Sequence, residues 1–234
     1  MLRRALRLRR HMGTSMQRFQ PFLAVLTLVL PLAMPSFASA QQADAPEERQ
    51  IVAFGDSLSA GYGVGPGESF PEQLQAALRE KGYDVSVANA GVSGDTTSGG
   101  LARLDWSVPE SADLVIVELG ANDALRGIDP AITRENLSAI LEKLKQRGQR
   151  VILAGMLAPP NMGANYAERF DPIFPELAEQ YDVAFYPFFL EGVAAEADLN
   201  QADKMHPNAE GVAIIVDNIL PVVTEALETE GAGS

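Results

Sequence analysis

Strand and helix patterns alternate along the chain from residue 50, and this alternation predicts an α/β fold. In such a fold, helices cover both faces of an open parallel sheet, because right-handed crossovers return each helix onto the sheet. Two further observations support the prediction. The 234 residues are 47% hydrophobic, enough for one domain with a substantial core, and no repeat, linker or low-complexity segment follows residue 50.

Five short runs of mainly apolar residues predict strands, and the third is typical of a buried strand of a parallel sheet. The predicted strands are residues 51–55, 85–88, 114–119, 151–154 and 183–186. A glycine follows or ends several of these runs, which predicts tight turns after them.

Helical spacing of apolar residues predicts the elements between the strands. The predicted helices span residues 71–80, 132–147, part of 166–180 and 209–227. In the second helix we expect one buried face, made of Ile132, Leu137, Ile140, Leu141 and Leu144. Pro172 and Pro175 interrupt the third and Pro221 bends the last, because proline lacks a helical N–H. Asn208 is the expected N-cap of the last helix.

The first 40 residues have the three-part layout of a secretory signal. Six arginines and no acidic residue lie within residues 1–20, an apolar run spans residues 21–31, and Ala38-Ser39-Ala40 matches a cleavage site. An uncleaved membrane anchor is the alternative, although the run is shorter than the ~20 residues of a span. We expect cleavage after Ala40 and export to the periplasm by the general secretory route, with translation starting at Met1, Met12 or Met16.

These features divide the chain into four parts. Residues 1–40 are the predicted signal peptide and residues 41–49 a flexible leader. Residues 50–228 are the predicted catalytic domain, and residues 229–234 a disordered tail.

Charge and cysteine content exclude several classes of function. Without residues 1–40, the chain has 31 acidic and 12 basic residues, a net charge of −19. This excludes non-specific nucleic-acid binding and argues against docking on anionic membranes, so no stable membrane insertion is expected. Solubility explains such acidity, and adaptation to elevated salt is the alternative. The absence of cysteine excludes disulfides, thiolate zinc sites and a cysteine nucleophile.

Residues capable of catalysis follow three predicted strands and precede the last helix. The segments are residues 55–59, 89–95, 120–123 and 203–207. The carboxyl ends of parallel strands lie at one edge of a sheet, where functional groups gather. Together the segments supply a hydroxyl, backbone amides, a carboxamide and an Asp–His pair, which are the parts of a serine acyl-transfer site.

Ser57 is the candidate nucleophile, because it lies in the turn after the first strand. A serine hydroxyl needs a base, and His206 is the one histidine after the predicted signal. Asp203 lies three residues earlier, where its carboxylate can orient the imidazole. The candidate catalytic residues are therefore Ser57, Asp203 and His206.

The oxyanion formed by such an attack needs preorganised hydrogen-bond donors. The candidates are the N–H groups of Ser57 and Gly91 and the side-chain amide of Asn122. Each motif alone is more often a turn, a helix cap or a surface pair. Their occurrence in order, each at its own predicted strand end, favours the catalytic interpretation.

Four blocks resemble the motifs of the SGNH (GDSL) hydrolase family. They are FGDSLSAGYG at 54–63, NAGVSGDT at 89–96, ELGANDALRG at 118–127 and DKMHPN at 203–208. The family's four named residues match Ser57, Gly91, Asn122 and His206, and the resemblance covers about residues 49–228. Lys204-Met205 departs from the small residues expected there, but the spacing is kept. The resemblance implies a flavodoxin-like three-layer fold with strand order 2-1-3-4-5.

Within the family, the chain looks most like the small periplasmic arylesterases, acyl-CoA thioesterases and lysophospholipases. This implies a cofactor-free enzyme acting on small-molecule acyl esters or thioesters, lysophospholipids among them. It also implies that residues 125–130 close over an acyl chain and that residues 156–166 flank the pocket. A proline-stiffened connection is the alternative for the second segment. The implied substrate-binding residues are Leu125, Arg126, Ile128, Pro160 and Tyr166. We expect a monomer and no metal site, with an aspartate-bound calcium as the alternative.

Other functions fit the sequence less well. A nucleotide-binding domain is disfavoured because the glycines at 61–67 do not form G-x-G-x-x-G. An ordinary α/β-hydrolase needs G-x-S-x-G, which does not occur, and a His distant from its Asp, whereas Asp203 and His206 are neighbours. A carbohydrate O-acetyl esterase with the same triad stays open, although Trp106 is the single tryptophan available as a sugar platform. A non-catalytic lipid- or carbohydrate-binding module would not need the whole constellation.

Overall fold

A parallel five-stranded sheet with the order β2-β1-β3-β4-β5 forms the centre of the protein. The computed structural model describes residues 48–229. The strands are β1 (Arg49–Gly55), β2 (Val85–Asn89), β3 (Leu114–Glu118), β4 (Arg150–Ala154) and β5 (Ala184–Tyr186). The predicted α/β class and strand order are both confirmed.

Eight α-helices connect and flank these strands within residues 48–229. They are α1 (Ser57–Ala60), α2 (Phe70–Glu80), α3 (Thr97–Ser107), α4 (Ala121–Leu125), α5 (Pro130–Gln146), α6 (Ala164–Phe170), α7 (Ile173–Tyr181) and α8 (Ala209–Glu228). Short 3₁₀ turns occur at Pro160–Met162 and Ala197–Leu199. Helix α2 packs against α8, and α5 lies between α3 and α7. These groups form the two helical layers.

The central strands are buried because helices cover both of their faces. All five residues of β3 and the last five of β1 are buried, which explains their uninterrupted apolar character. The edge strand β2 is partly exposed, and its sequence VSVAN is correspondingly more polar. The core therefore lies between the sheet and its helical layers, and the carboxyl ends of β1 and β3 are held rigidly.

Helix α3 was not expected from the sequence. Its residues TSGGLARLDWS have little apolar periodicity, and two glycines reduce the intrinsic helix propensity. The helix is held instead by Arg103, whose guanidinium donates to the carbonyls of Gly55 and Ala90 and to Asp95. The short helices α1 and α4 were also not predicted.

Two further expectations about helices need correction. Ile132 is 47% exposed, whereas Thr133 is fully buried, so the apolar face of α5 begins one residue later than predicted. The region predicted as an interrupted helix is two helices, α6 and α7, separated at Asp171-Pro172. Pro175 lies in the first turn of α7 and does not interrupt it, because the first N–H groups of a helix need no intrahelical acceptor. Pro221 lies inside α8, as expected.

Several predicted boundaries lie outside the described residues. The predicted signal peptide, leader residues 41–47 and tail residues 230–234 fall in this category. Strand β1 begins at Arg49, one residue before the predicted start of the domain. Within residues 48–229, no helix is both long enough and apolar enough to cross a membrane.

Candidate active site

The predicted site segments meet at the carboxyl edge of the sheet. Ser57 is the first residue of α1, immediately after β1, and Asp56 caps this helix by accepting from the N–H of Leu58 at 3.0 Å. The four-residue helix ends at Gly61, whose φ of 79° is readily adopted only by glycine. This tight turn presents the Ser57 side chain at the sheet edge.

A continuous hydrogen-bonded relay joins the three predicted catalytic residues. The Oγ of Ser57 lies 3.0 Å from Nε2 of His206, and Nδ1 of His206 lies 2.7 Å from Oδ2 of Asp203. When Nδ1–H donates to Asp203, Nε2 is left to accept the serine proton. The ring of Tyr62 packs against the imidazole with centroids 4.5 Å apart, a contact that was not predicted.

Asp203 is fixed by its own loop. Its Oδ1 accepts from the N–H groups of Met205 at 2.9 Å and His206 at 3.0 Å, which leaves Oδ2 for the imidazole. Hydrogen bonds from the side chain and backbone of His206 and from Met205 N–H lower the pKa of Asp203 to about 2. Between these residues, Lys204 has a φ of 59°. Glycine, asparagine and aspartate adopt this left-handed conformation more readily than lysine, so Lys204 is held there with some backbone strain.

The three predicted oxyanion donors are in different situations. The N–H of Ser57 is at the start of α1, where it has no acceptor within the helix. Asn122 donates one amide hydrogen to Oδ2 of Asp56 at 2.9 Å, and its second amide hydrogen is available. The N–H of Gly91 donates to Oδ1 of Asn89 at 2.9 Å, so it must leave this acceptor before it can bind an oxyanion.

A cavity of about 740 Å³ opens beside the relay. Ser57, Asn122 and His206 lie on its wall. The remaining lining is largely apolar and includes Leu125, Met156, Leu157, Pro159, Pro160, Phe188, Leu190 and Met205. A nucleophile beside an apolar cavity of this size is suited to an acyl group.

Two of the five predicted substrate-binding residues line this cavity, and three do not. Leu125 and Pro160 are on its wall. Tyr166 is only 7% exposed, stacks on Phe170 and donates to the carbonyl of Ile128 at 2.8 Å. Arg126 points to the carbonyl of Gly94 at 2.6 Å. Tyr166, Ile128 and Arg126 therefore shape the loop after α4 and do not contact the cavity.

Comparison with protein families identifies this constellation. The GDSL-like Lipase/Acylhydrolase family matches residues 53–214, which include all the predicted site residues. The chain belongs to this family.

Similar proteins of known name support the assignment to this family. An arylesterase of Vibrio mimicus is 40% identical over 187 residues, covering 80% of this chain and 90% of that protein. Thioesterase 1/protease 1/lysophospholipase L1 of Escherichia coli K12 is 39% identical over 168 residues, covering 71% and 79%. The crystal structure of AlinE4, an SGNH-hydrolase family esterase, is 52% identical with a TM-score of 0.66, covering 79% of this chain and 100% of that one.

This GDSL-family chain has a buried acidic cluster beneath its nucleophile that was not predicted. Asp56 and Glu118 are both fully buried, and Ser59 donates to Oε2 of Glu118 at 2.8 Å. Burial raises the pKa of Asp56 to about 6 and raises that of Glu118 well above its ordinary value. The sequence signal that could have predicted this cluster is the acidic residue Glu118 at the end of the otherwise apolar strand β3.

Metal binding finds no comparable support. Among residues 48–229, no three His, Asp or Glu side chains are grouped to hold a metal ion.

Proposed function

We propose that the protein is a secreted serine hydrolase that cleaves carboxylic esters and thioesters through an acyl-enzyme on Ser57. The observation that carries this proposal is the relay from Ser57 Oγ to His206 to Asp203, at 3.0 Å and 2.7 Å, at the wall of an apolar cavity. Membership of the GDSL-like family supports the same chemistry.

The reaction follows from the arrangement of these groups. His206 Nε2 takes the hydroxyl proton as Ser57 Oγ attacks the carbonyl carbon, and Asp203 stabilises the imidazolium. The N–H of Ser57 and the free amide hydrogen of Asn122 stabilise the oxyanion, joined by Gly91 N–H if it leaves Asn89. His206 then protonates the leaving alcohol or thiol. Water, deprotonated by His206, releases the acid by the same steps.

The cavity favours an acyl chain over a sugar. Its lining is mainly aliphatic side chains and proline, which bury alkyl surface at about 0.8 kcal/mol per CH₂. Trp106 is 77% exposed on α3 and does not line the cavity, so it offers no platform for a carbohydrate. We therefore favour acyl esters, thioesters and lysophospholipids over carbohydrate O-acetyl esters. The assembled relay likewise argues against a non-catalytic binding module.

The setting of the reaction is part of the proposal. The arginine-rich and apolar N-terminal segment supports export to the periplasm, with cleavage after Ala40. We propose a monomer that works without a cofactor. Mass spectrometry of the exported protein would identify its first residue, and sedimentation would measure its mass.

A series of p-nitrophenyl esters from acetate to palmitate tests the proposal, with Ser57→Ala beside the unaltered protein. We expect turnover to peak at medium or long chains and to fall by several orders of magnitude in Ser57→Ala, whose circular dichroism stays unchanged. Activity restricted to acetate would favour the sugar deacetylase. Near-normal turnover by Ser57→Ala would eliminate the assigned nucleophile.

Ester and thioester preference needs a separate comparison. Matched oxygen and thiol esters of one acyl chain, assayed with the same enzyme preparation, give the ratio of kcat/KM. Because both leave through protonation by His206, we expect both to be cleaved. If the enzyme hydrolysed neither the oxygen ester nor the thiol ester, the proposed function would be refuted.

A further inference from the structure

Asp56 connects the nucleophile to the proposed oxyanion donor. Its side chain is fully buried, although it precedes a catalytic residue at the cavity wall. One carboxylate oxygen accepts from the N–H of Leu58 at 3.0 Å, in the first turn of α1. The other accepts from Nδ2 of Asn122 at 2.9 Å. The same carboxylate thus fixes the helix that carries Ser57 and the carboxamide that faces it.

Glu118 supports this arrangement from below. It lies beside Gly55 in the register of β1 and β3, and its Oε2 accepts from Ser59 Oγ at 2.8 Å and from Asp56 N–H at 3.2 Å. A Cβ at position 55 would lie 2.4 Å from this oxygen, so glycine is needed for the contact. Within residues 48–229, Oε1 of Glu118 has no hydrogen-bond partner.

The two buried carboxyl groups have little positive charge to balance them. The nearby Arg103 of α3 already pairs with Asp95 at 2.6 Å. Asp123 of α4 is engaged by Thr97 and Thr133 and brings no cation. The remaining titratable neighbour is His206, which is neutral when it acts as a base. Ionising both of two adjacent, desolvated carboxyl groups is unfavourable because their negative charges repel, so the cluster is expected to retain one proton.

The hydrogen bonds indicate which group keeps that proton. Both oxygens of Asp56 accept from donors, which stabilises its ionised form. Among the residues that the structure describes, Oε2 of Glu118 accepts two hydrogen bonds and Oε1 has no donor. Burial and the charge of Asp56 raise the pKa of Glu118 well above its ordinary value.

We propose that ionised Asp56 is a positioning residue that aims the Asn122 amide at the oxyanion, and that protonated Glu118 makes this single buried charge tolerable. By occupying one hydrogen of the Asn122 amide, Asp56 directs the carboxamide oxygen away from the reacting carbonyl and leaves the second hydrogen for the oxyanion. This inference rests on the proposed acyl-enzyme function and adds a role for two fully buried residues.

A double-mutant cycle tests the action of Asp56 through Asn122. Asp56→Asn should lower kcat about 10- to 100-fold with little change in KM, because a misaimed donor weakens transition-state binding. In an Asn122→Ala background, the same change should cost less than about threefold, since nothing remains to be aimed. Full additivity of the two losses would overturn the proposal. Asp105→Asn, which alters an exposed carboxylate of α3, is the matched control.

Glu118→Gln tests where the proton resides. Glutamine resembles the protonated acid and can still accept from Ser59 and Asp56, so the loss in kcat should stay below about tenfold. Infrared spectra of the unaltered protein at pH 7 should contain a buried carboxylic-acid C=O band that is absent in Glu118→Gln. A loss as large as that of Asp56→Asn, or no such band, would overturn the assignment.

Two safeguards keep the experiment decisive. If Asp56→Asn does not fold, the Asn122 side-chain amide resonance can be followed against pH in His206→Asn. It should shift as Asp56 titrates, at about pH 6, and a resonance insensitive to pH would refute the contact.

The Ser57→Ala variant separates this inference from the proposed function. Turnover that survives Ser57→Ala would refute the proposed function itself. If Ser57→Ala is inactive but the losses from Asp56→Asn and Asn122→Ala are additive, only the role of Asp56 is refuted.

Discussion

The side-chain amide of Asn122 donates one hydrogen to the buried carboxylate of Asp56, and Asn122 also lies on the wall of the cavity. The Asn122 amide is therefore a hydrogen-bond donor that is already oriented before substrate arrives. Such preorganised donors stabilise a developing charge without reorganisation in the transition state.

Asn122→Ala should therefore reduce kcat about 10²- to 10³-fold while KM changes little. The reason is that its second amide hydrogen is needed for the oxyanion and not for the ground-state carbonyl. Steady-state kinetics on one p-nitrophenyl ester measure the effect. Asn136→Ala, an asparagine of α5 that bonds Thr97 and Ser98, is the control. A variant changed only in KM would contradict the oxyanion role.

Glu118→Gln should stabilise the protein increasingly as pH rises. The pKa of Glu118 is raised above its ordinary 4.5 by burial and by Asp56, so the folded state holds a proton that the unfolded state releases. The stability from this proton is complete below pH 4.5 and is lost as pH rises toward the folded-state pKa. The advantage of the variant should grow by about 1.4 kcal/mol per pH unit between pH 4.5 and the folded-state pKa, and stay constant above that pKa.

Urea unfolding at several pH values between 5 and 8 measures this difference in the free energy of unfolding. Glu142→Gln, on the exposed side of α5, is the matched control and should show no such slope. A constant difference between Glu118→Gln and the unaltered protein would mean that Glu118 is ionised in the folded state.

At the scale of elements, the site depends on how closely a few short segments approach one another. The β2–α3 loop packs directly on the backbone of α1 at Gly91, and β3 delivers Glu118 beneath the same helix. Helix α1 has only four residues, so these neighbours and the Asp56 cap determine where Ser57 points.

Gly91→Ala should disturb α1 through crowding. An added Cβ would lie 2.3 Å from the backbone nitrogen of Ala60, which cannot move without moving the helix. Overpacking of this kind costs about 1–3 kcal/mol of stability, and we expect at least a tenfold loss in kcat. Thermal unfolding and ester kinetics check the two effects.

Gly65→Ala is the control for that variant, because its Cβ would meet only the flexible end of Glu68 at 3.1 Å. Equal behaviour of the two variants would show that the close approach at Gly91 is unimportant for Ser57.

The elements that carry apolar periodicity were predictable, and those held by polar contacts were not. All five strands were predicted from their mainly apolar sequences, which are uninterrupted in β1 and β4 and more polar in the edge strand β2. Helix α3 was missed because Arg103 holds it through carbonyls and Asp95, a dependence that no local pattern indicates.

The same distinction applies to the candidate site. Ser57, Asp203 and His206 could be named from the sequence because their motifs lie directly after the first predicted strand and directly before the last predicted helix. The pairing of Asp56 with Glu118, 62 positions apart, depends on the register of β1 and β3. The burial of Tyr166, a residue of α6, depends on its contact with the carbonyl of Ile128 in the loop after α4. Neither can be obtained without the tertiary structure.

Across the whole molecule, the dominant feature is its negative charge. The chain has 31 acidic and 18 basic residues. The ion pairs on its surface are mostly exposed, such as Arg79 with Glu48, and pairs of this kind contribute little. Mutual repulsion among the acidic groups therefore remains largely uncompensated at low ionic strength.

Added sodium chloride should raise the thermal unfolding temperature between 10 mM and 0.5 M, because salt screens this repulsion. Scanning calorimetry measures the change, and equimolar sucrose provides a control for general solvent effects. The double variant Glu142→Gln/Glu179→Gln, at two exposed positions, should respond less. Stability that falls with salt would show that attractive pairs outweigh the repulsion.

The bond between Ser57 and His206 joins residues 149 positions apart, one after the first strand and one before the last helix. Catalysis consequently becomes an indicator of folding across most of the chain, because no fragment that ends before His206 holds both groups. In a refolding experiment, esterase activity should return with the slowest phase of tertiary assembly and not with the early gain of helix. A simple chromogenic assay can thus follow the maturation of the entire polypeptide in real time.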